Sequence, residues 1–136
     1  MKKKNKYTGK FVVAFDTLCE GWNCMTDEND KGKRTPSLFD SYNEAFKEIF
    51  DGAYSMLSNR SASELKEYSK GVTKIMVKQM GKILDSGDVK AMEKFFDQNP
   101  NCNDNNEWVE PADQFIMNRK VIFTKKGLVI TGKKLK

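Results

Sequence analysis

Near the start of the chain, Phe11, Val13 and Phe15 alternate with Val12, Ala14 and Asp16. Phenylalanine and valine fill every second position there, and a period of two in aromatic and β-branched residues predicts a β-strand with one buried face. A second strand is predicted over residues 22–26, after a turn at residues 20–21. A hydrophilic loop over residues 27–34 and a short extended piece over residues 36–39 follow.

The period changes to that of a helix after residue 40. Ser41 and Glu44 have the spacing of a capping box, in which the serine oxygen accepts from the N3 amide and the glutamate accepts from the cap amide. Beyond them, apolar residues recur at steps of three and four up to Leu57, which places them on one stripe. The pattern predicts an amphipathic helix over residues 42–58 that faces the core.

The same two signals recur in the next segment. Ser61 and Glu64 repeat the capping spacing, and a second apolar stripe continues to about residue 84. The stripe consists of Leu65, Tyr68, Val72, Ile75, Met76, Met80 and Ile83. Gly71 and Gly81 interrupt it at a cost of ~1 kcal/mol each relative to alanine, and they indicate either close helix packing or a bend. We expect one helix here, the longest in the chain.

The remaining pattern predicts short elements. A third helix is expected over residues 89–96, and an asparagine-rich loop occupies residues 98–107. A proline then favours a single helical turn over residues 111–117. Two β-branched runs, residues 121–124 and 128–131, flank a turn that contains glycine, which is typical of a β-hairpin.

Strands, helices and strands thus follow one another along the chain, as is typical of the α+β class. We expect an antiparallel sheet, formed by the N-terminal strands and the C-terminal β-hairpin, packed against two or three central helices. The length of 136 residues is that of one ordinary domain. The expected organisation is a flexible basic N-terminal segment, residues 1–9, and a single α+β domain, residues 10–136.

Basic residues concentrate at the two ends of the chain and on one face of the predicted long helix. Residues 1–10 and 119–136 contain 12 of the 24 basic side chains and no acidic one. In the predicted helix, lysines recur at every fourth residue and, at 100° per residue, form a ridge opposite the apolar stripe. Because like charges at this spacing repel slightly, the ridge adds no local stability. It is either a solvated face or a contact for a negatively charged partner.

The candidate contact residues are Lys66, Lys70, Lys74, Lys78, Lys82, Arg119, Lys120, Lys125 and Lys126. The first hypothesis is an acidic surface on a partner protein. The second is nonspecific binding to the nucleic-acid backbone through the lysine-lined helix and the basic termini. A single arginine at the termini is few for base readout, and no aromatic side chain is predicted among the lysines as a stacking platform. Trp22 and Trp108 are predicted core residues, although an exposed tryptophan would anchor a protein interface.

The composition limits the available chemistry. The chain has no histidine, which removes histidine-activated nucleophiles and the commonest nitrogen ligand of zinc. The cysteines Cys19, Cys24 and Cys102 lack the paired spacing of a zinc site and are expected to be buried, reduced thiols. The loop after residue 27 matches a calcium-binding loop in part, but Leu38 stands where that loop needs a bidentate glutamate.

The motifs of phosphate-binding and dinucleotide-binding loops do not occur in the chain. We therefore expect a non-catalytic binding or accessory module without a metal or cofactor; an enzyme of unknown type that uses no histidine is the third hypothesis. No apolar run approaches the ~18 residues of a membrane-spanning helix, so no membrane segment is expected. The predicted location is cytoplasmic.

Overall fold

The computed structural model describes residues 6–16, 21–28, 30–32, 34–103, 106–117, 119–124 and 127–134. Its strands within these ranges are Phe11–Asp16 (β1), Trp22–Cys24 (β2), Thr26–Glu28 (β3), Arg34–Pro36 (β4), Trp108–Pro111 (β5), Arg119–Thr124 (β6) and Gly127–Lys134 (β7). Its α-helices are Tyr42–Ser58 (α1), Ala62–Tyr68 (α2), Lys74–Ser86 (α3), Val89–Gln98 (α4) and Ala112–Met117 (α5). A 3₁₀ turn follows α4 at Pro100–Cys102. None of the helices in the described ranges is long and apolar enough to cross a membrane.

The strands form two sheets. In the first, β1 lies between β2 and β5 and pairs with both in the antiparallel sense. The second has the order β3-β4-β7-β6, in which β6 and β7 are the predicted hairpin and β4 joins β7 in parallel through Arg34 and Gly127. The α+β class, with strands from both ends of the chain, is confirmed. The strands are divided between two sheets where one was expected.

Met25 marks the passage from one sheet to the other. Its amide donates to the carbonyl oxygen of Val13 in β1 at 2.9 Å, and its carbonyl oxygen accepts from the amide of Ser37, just after β4, at 3.0 Å. The strand predicted over residues 22–26 is therefore two strands, β2 and β3, because the two sides of Met25 bond to different sheets. The turn predicted at residues 20–21 lies partly outside the described residues.

The chain divides into two compact units. One contains residues 1–45 and 107–136, with all of the strands given above and α5. The other contains residues 46–106, with most of α1 and with α2, α3 and α4. The single domain expected over residues 10–136 stays a prediction.

The core of the first unit is formed by β1, β2 and α5. Its buried side chains are Val12, Ala14, Cys24, Ala112, Phe115 and Ile116. Trp22 and Trp108 pack against this core. Their rings contact each other edge to face, with centroids 5.2 Å apart, and both residues are half-buried. Tyr7 also packs against the core. Residues 6–9 of the segment predicted to be flexible form a turn, closed by the amide of Lys10 on the carbonyl of Tyr7.

Helix α1 has the predicted bounds. Oγ of Ser41 accepts from the amide of Glu44 at 3.1 Å, as the capping spacing predicts. The Glu44 carboxylate accepts from the amide of Asp40 at 3.2 Å, one residue before the expected cap amide. Helix α4 and the turn α5 also lie where the pattern predicts them.

Aromatic rings of α1 and α4 pack together in the second unit. Phe50 is fully buried, and its ring centroid lies 5.0 Å from that of Phe96 and 6.1 Å from that of Phe95. Helix α3 approaches α1 closely at Gly81, where a Cβ atom would lie 3.0 Å from Oη of Tyr54. Of the two explanations offered for the glycines, close packing therefore applies to Gly81.

The long helix predicted over residues 62–84 is wrong, because residues 69–73 separate α2 from α3. Gly71 has a φ of +85°, a left-handed conformation that glycine adopts without strain. Oγ1 of Thr73 then caps α3 by accepting from the amide of Met76 at 3.2 Å. Serine, glycine and threonine in this short segment favour turns and caps over a helix interior, and this preference explains the break.

Candidate binding site

The break divides the five lysines of the predicted ridge. Lys66 lies on α2, Lys70 lies between the helices, and α3 carries the other three, Lys74, Lys78 and Lys82. A single straight ridge along one helix is therefore wrong. The residues themselves remain exposed in the structure.

The terminal candidate residues lie in or next to the C-terminal hairpin. Arg119 and Lys120 begin β6, where the pairing with β7 shifts register between Arg119 and Val121. Lys125 and Lys126 lie outside the described residues. A contribution of these four residues to a partner contact stays a prediction.

The segment between α2 and α3 opens a cavity of about 650 Å³, which we call the lysine groove. Its lining residues are Ala62, Leu65, Lys66, Lys70, Gly71, Val72, Thr73, Lys74 and Ile75. Three of the candidate lysines thus border one concavity, whereas Lys78 and Lys82 lie farther along α3. The break in the helix is what creates this grouping, since a continuous helix would space all five lysines evenly along a convex surface.

The lysine groove carries positive charge that no salt bridge within the described residues neutralises. In the described part of the chain, no acid lies within salt-bridge distance of Lys66, Lys70 or Lys74. Nζ of Lys74 donates to the carbonyl oxygen of Arg60 at 2.6 Å, a bond that positions the ammonium group without neutralising it. Helix α3 also begins here, and its N-terminal end adds positive partial charge. A ligand with negative charge therefore matches the groove.

The nearby carboxylate of Glu64 is held in the cap of α2. Oγ of Ser61 accepts from the amide of Glu64 at 3.2 Å, and Oε1 of Glu64 accepts from the amide of Ser61 at 2.9 Å, so the predicted capping box is confirmed. These hydrogen bonds, followed by the charges of Arg60 and Lys74, lower the pKa of Glu64 from its ordinary value. The carboxylate thus stays ionised at neutral pH within the cap.

One wall of the lysine groove is apolar. Leu65 and Val72 are buried, whereas Ile75 is 72% exposed. A single exposed isoleucine is ordinary on a protein surface. This one, however, borders a concavity that two other apolar side chains line, and together they form a place where an apolar ligand group can leave water.

Lys70 also lines a second cavity of about 550 Å³, which we call the amide cavity. Its other lining residues are Glu67, Tyr68, Ser69, Pro100, Asn101, Asn103 and Asn106. Tyr68 is 61% exposed, and the guanidinium group of Arg60 lies over its ring, 5.8 Å from the centroid. Arg60 also donates from Nη1 to Oγ of Ser69. The amide cavity is thus mostly polar, with one aromatic face.

Asn101, in the amide cavity, is hydrogen-bonded to Lys70, which lines both cavities. Its Nδ2 donates to the carbonyl oxygen of Lys70 at 3.1 Å. A Cβ atom at Gly71 would lie 2.6 Å from the same nitrogen, so a larger residue there would require the Asn101 side chain to shift. This hydrogen bond fixes the stretch of backbone that both cavities share.

The sequence pattern does not identify Tyr68, Ile75 or Asn101 as surface residues of a site. A continuous helix places Tyr68 and Ile75 on its core-facing stripe, and that prediction is wrong because the break changes the face on which they lie. An exposed aromatic residue therefore does lie among the lysines. The serine, glycine and threonine of residues 69–73 are the signal of the break. The role of Asn101 has no local signal, because the residue it bonds is 31 positions away.

The cysteine thiols within the described residues are buried and unreactive. Cys24 and Cys102 are buried and free, and burial raises the pKa of Cys24 to about 12 and raises the pKa of Cys102. Such thiols stay protonated at neutral pH and are poor nucleophiles. Cys19 lies outside the described residues. Among the residues that are described, no cluster of three or more cysteine or acidic side chains could hold a metal ion.

Comparison with protein-family models, with curated proteins and with solved structures found no match to this chain. No fold, activity or partner is therefore transferred from a relative.

Proposed function

We propose that the protein is a non-catalytic binding module whose lysine groove holds an acidic segment of a partner protein. The observation that carries this proposal is the concavity between α2 and α3, in which Lys66, Lys70 and Lys74 surround an apolar wall. Carboxylates of the partner would pair with the lysines, and an apolar side chain between them would cover Ile75.

The apolar wall favours a protein partner over a nucleic-acid backbone. Protein interfaces combine a desolvated apolar centre with a polar rim. The groove has the same two parts, an apolar wall and the lysines that border it. Phosphate groups would use the lysines but would leave Ile75 uncovered. Charge pairs of this kind also accelerate association, so we expect binding to weaken as salt shortens the Debye length to about 8–10 Å and below.

The proposal is tested with a fluorescent peptide of alternating glutamate and leucine, about six residues long and thus roughly 20 Å when extended. The variant Lys66→Gln, Lys70→Gln, Lys74→Gln should bind it about tenfold or more weakly in an anisotropy titration, since each exposed charge pair contributes up to about 1 kcal/mol. Circular dichroism checks that the variant keeps its helices.

A matched control carries the same loss of charge elsewhere. Lys78→Gln, Lys82→Gln, Lys90→Gln removes three exposed lysines of α3 and α4 that do not line the groove. It should leave the affinity within about twofold of the original, because these charges lie beyond the direct contact. Equal weakening by both triple variants would show that only net charge matters, and it would contradict the proposed groove.

A second candidate function is the binding of single-stranded nucleic acid, and exposed Tyr68 is the observation that favours it. The tyrosine lies between Lys66 and Lys70 in the sequence, and aromatic rings next to cations are the usual stacking platform for bases. A fluorescent uridine oligomer tests it. Strong retention at low salt that Tyr68→Ala abolishes supports this function; the same retention after the substitution contradicts it.

The expected cytoplasmic location belongs to the same proposal. Cys24 and Cys102 are free thiols in the structure, and reduced thiols persist in a reducing compartment. Microscopy of the tagged chain in its native host tests the location. Recovery outside the cytoplasm would contradict it.

A further inference from the structure

We propose that the partner segment is extended and continues from the lysine groove across Lys70 into the amide cavity. This inference rests on the proposed function and adds the conformation and the second half of the ligand. The observation behind it is that Lys70 lines both cavities, which makes them neighbours.

The chemistry of the amide cavity matches an exposed peptide backbone. The side-chain amide of an asparagine has N–H donors and a carbonyl acceptor, which are the complements of a backbone C=O and N–H. Asn101 uses one N–H on Lys70, and Asn106 is exposed beside it in the lining. A helical ligand would have used its own backbone groups internally, whereas an extended ligand presents them.

Tyr68 supplies a flat contact for this part of the ligand. Its side chain is largely exposed, and the guanidinium of Arg60 lies over the ring, 5.8 Å from the centroid. A tyrosine ring offers a large contact area at a low cost in conformational entropy. We therefore expect the second half of the ligand to be polar and uncharged, with its backbone against the amides and one residue over the tyrosine.

The hydrogen bond from Asn101 keeps the shared wall in place before the ligand arrives. The bond reaches Lys70 from the 3₁₀ turn, and Gly71 allows the close approach. A wall that is already ordered costs less free energy to bind against. The two cavities, of about 650 and 550 Å³, each have room for a few residues of an extended chain.

The test compares three synthetic peptides on the full chain by NMR titration. The first has about three residues of the glutamate–leucine pattern, the second adds about three serine and asparagine residues, and the third has the second sequence with N-methylated backbone in the added half. We expect the second to bind about tenfold more tightly than the first and to shift the signals of Tyr68 and Asn106. N-methylation should remove this gain, because it removes the backbone donors.

Two variants locate the gain. Tyr68→Ala and Asn106→Ala should each reduce the advantage of the longer peptide by about threefold or more, with no change for the short one. Asn43→Ala removes an exposed asparagine of α1 and should change neither affinity. Circular dichroism confirms that each variant keeps its fold.

The outcomes separate the inference from the proposed function. If the short peptide binds and the longer one gains nothing, the extended path is wrong and the proposed function stands. Equal affinity for a helix-locked version of the longer peptide would also overturn the extended path. If neither peptide perturbs residues 65–75, the proposed function fails and the inference fails with it. Shifts at Tyr68 and Asn106 produced by a uridine oligomer, and by no peptide, would overturn the inference in favour of nucleic acid.

Discussion

Two segments of the chain begin with the same signal and fold differently. Helix α1 follows Ser41 and Glu44, and helix α2 follows Ser61 and Glu64, each pair with the capping spacing. Helix α1 continues for 17 residues through Gly52, whereas α2 ends after 7 residues and the chain turns before α3 begins. A shared start signal thus fixes where a helix begins but not where it ends.

The difference lies in the surroundings of the glycine. A Cβ atom at Gly52 would meet nothing within 4 Å, and the helix continues through this residue. Gly71 stands between Ser69 and Thr73, and the side chains of both make hydrogen bonds that a helix interior does not use. Glycine permits the break, and the bond from Asn101 holds it.

The difference also has a functional consequence. An uninterrupted helix such as α1 presents a convex surface, on which side chains diverge. The interrupted stretch from α2 to α3 has its two cavities at the break itself. Three of the candidate lysines line the groove at the break, which is where the proposed binding site lies.

The largest expected effect on stability is the loss of Phe50 from the buried stripe of α1, in contrast to the loss of the exposed Ile75 of α3. Phe50→Ala should lower the free energy of unfolding by about 3–5 kcal/mol, because it removes a fully buried ring that contacts two others. Ile75→Ala should change it by less than about 0.5 kcal/mol, since this side chain is mostly exposed. Urea denaturation measures both. A large loss in Ile75→Ala would mean that the stripe of the predicted long helix is buried after all.

The next prediction is that alanine substitution changes the stability in opposite directions at two glycines. Gly71→Ala should destabilise the protein by about 1–3 kcal/mol, because φ is positive there and the new Cβ would meet Asn101. Gly52→Ala should stabilise it by about 0.5–1 kcal/mol, since the position is helical and open. Thermal unfolding of both variants measures the two signs.

A third glycine gives an intermediate control. Gly81 is helical, but a Cβ atom there would lie 3.0 Å from Oη of Tyr54, so the tyrosine must shift. Gly81→Ala should therefore fall between the other two variants. Stabilisation by Gly71→Ala would show that the segment is a helix in solution, and it would remove the break on which both cavities depend.

The smallest effect concerns the cap of α2. The folded-state pKa of Glu64 is lowered by its bonds to Ser61, so its contribution to stability is complete above the ordinary value of 4.5. This contribution is lost as the pH falls through the lowered folded-state pKa. The difference in unfolding free energy between the natural chain and Glu64→Gln should therefore shrink from neutral pH to about pH 3.

A second variant assigns this pH dependence to the cap. Ser61→Ala should cost about 1 kcal/mol at neutral pH, the usual value of a serine cap. It should also reduce the pH dependence seen with Glu64→Gln, because the bonds to Ser61 are the main cause of the lowered pKa. If the difference in unfolding free energy between the natural chain and Glu64→Gln did not change with pH, the cap would not be its source.

Local signals predict much of this fold. The bounds of α1, the positions of α4 and α5 and the C-terminal hairpin follow from caps, periodicity and turn residues close to each element. The candidate lysines also follow from the sequence, because charge needs no fold to be recognised. The division into Lys66, Lys70 and Lys74 at a groove and Lys78 and Lys82 beyond it does not.

Contacts between residues far apart in the chain determine the features of the fold that the sequence pattern does not predict. The bond from Asn101 to Lys70 and the parallel pairing of Arg34 with Gly127 join residues far apart in the chain. No local period encodes either contact. The amide cavity and the division of the strands into two sheets therefore lie beyond a single sequence, whereas the elements themselves do not.

The lysine groove is tested most directly by mapping a bound acidic peptide onto the full chain by two-dimensional NMR. The glutamate–leucine peptide should shift the backbone amides of residues 65–75 most strongly, and added salt should reverse the shifts. Shifts that are largest around Lys78 and Lys82 or in β6, or no shifts at low salt, would contradict the groove as the binding site.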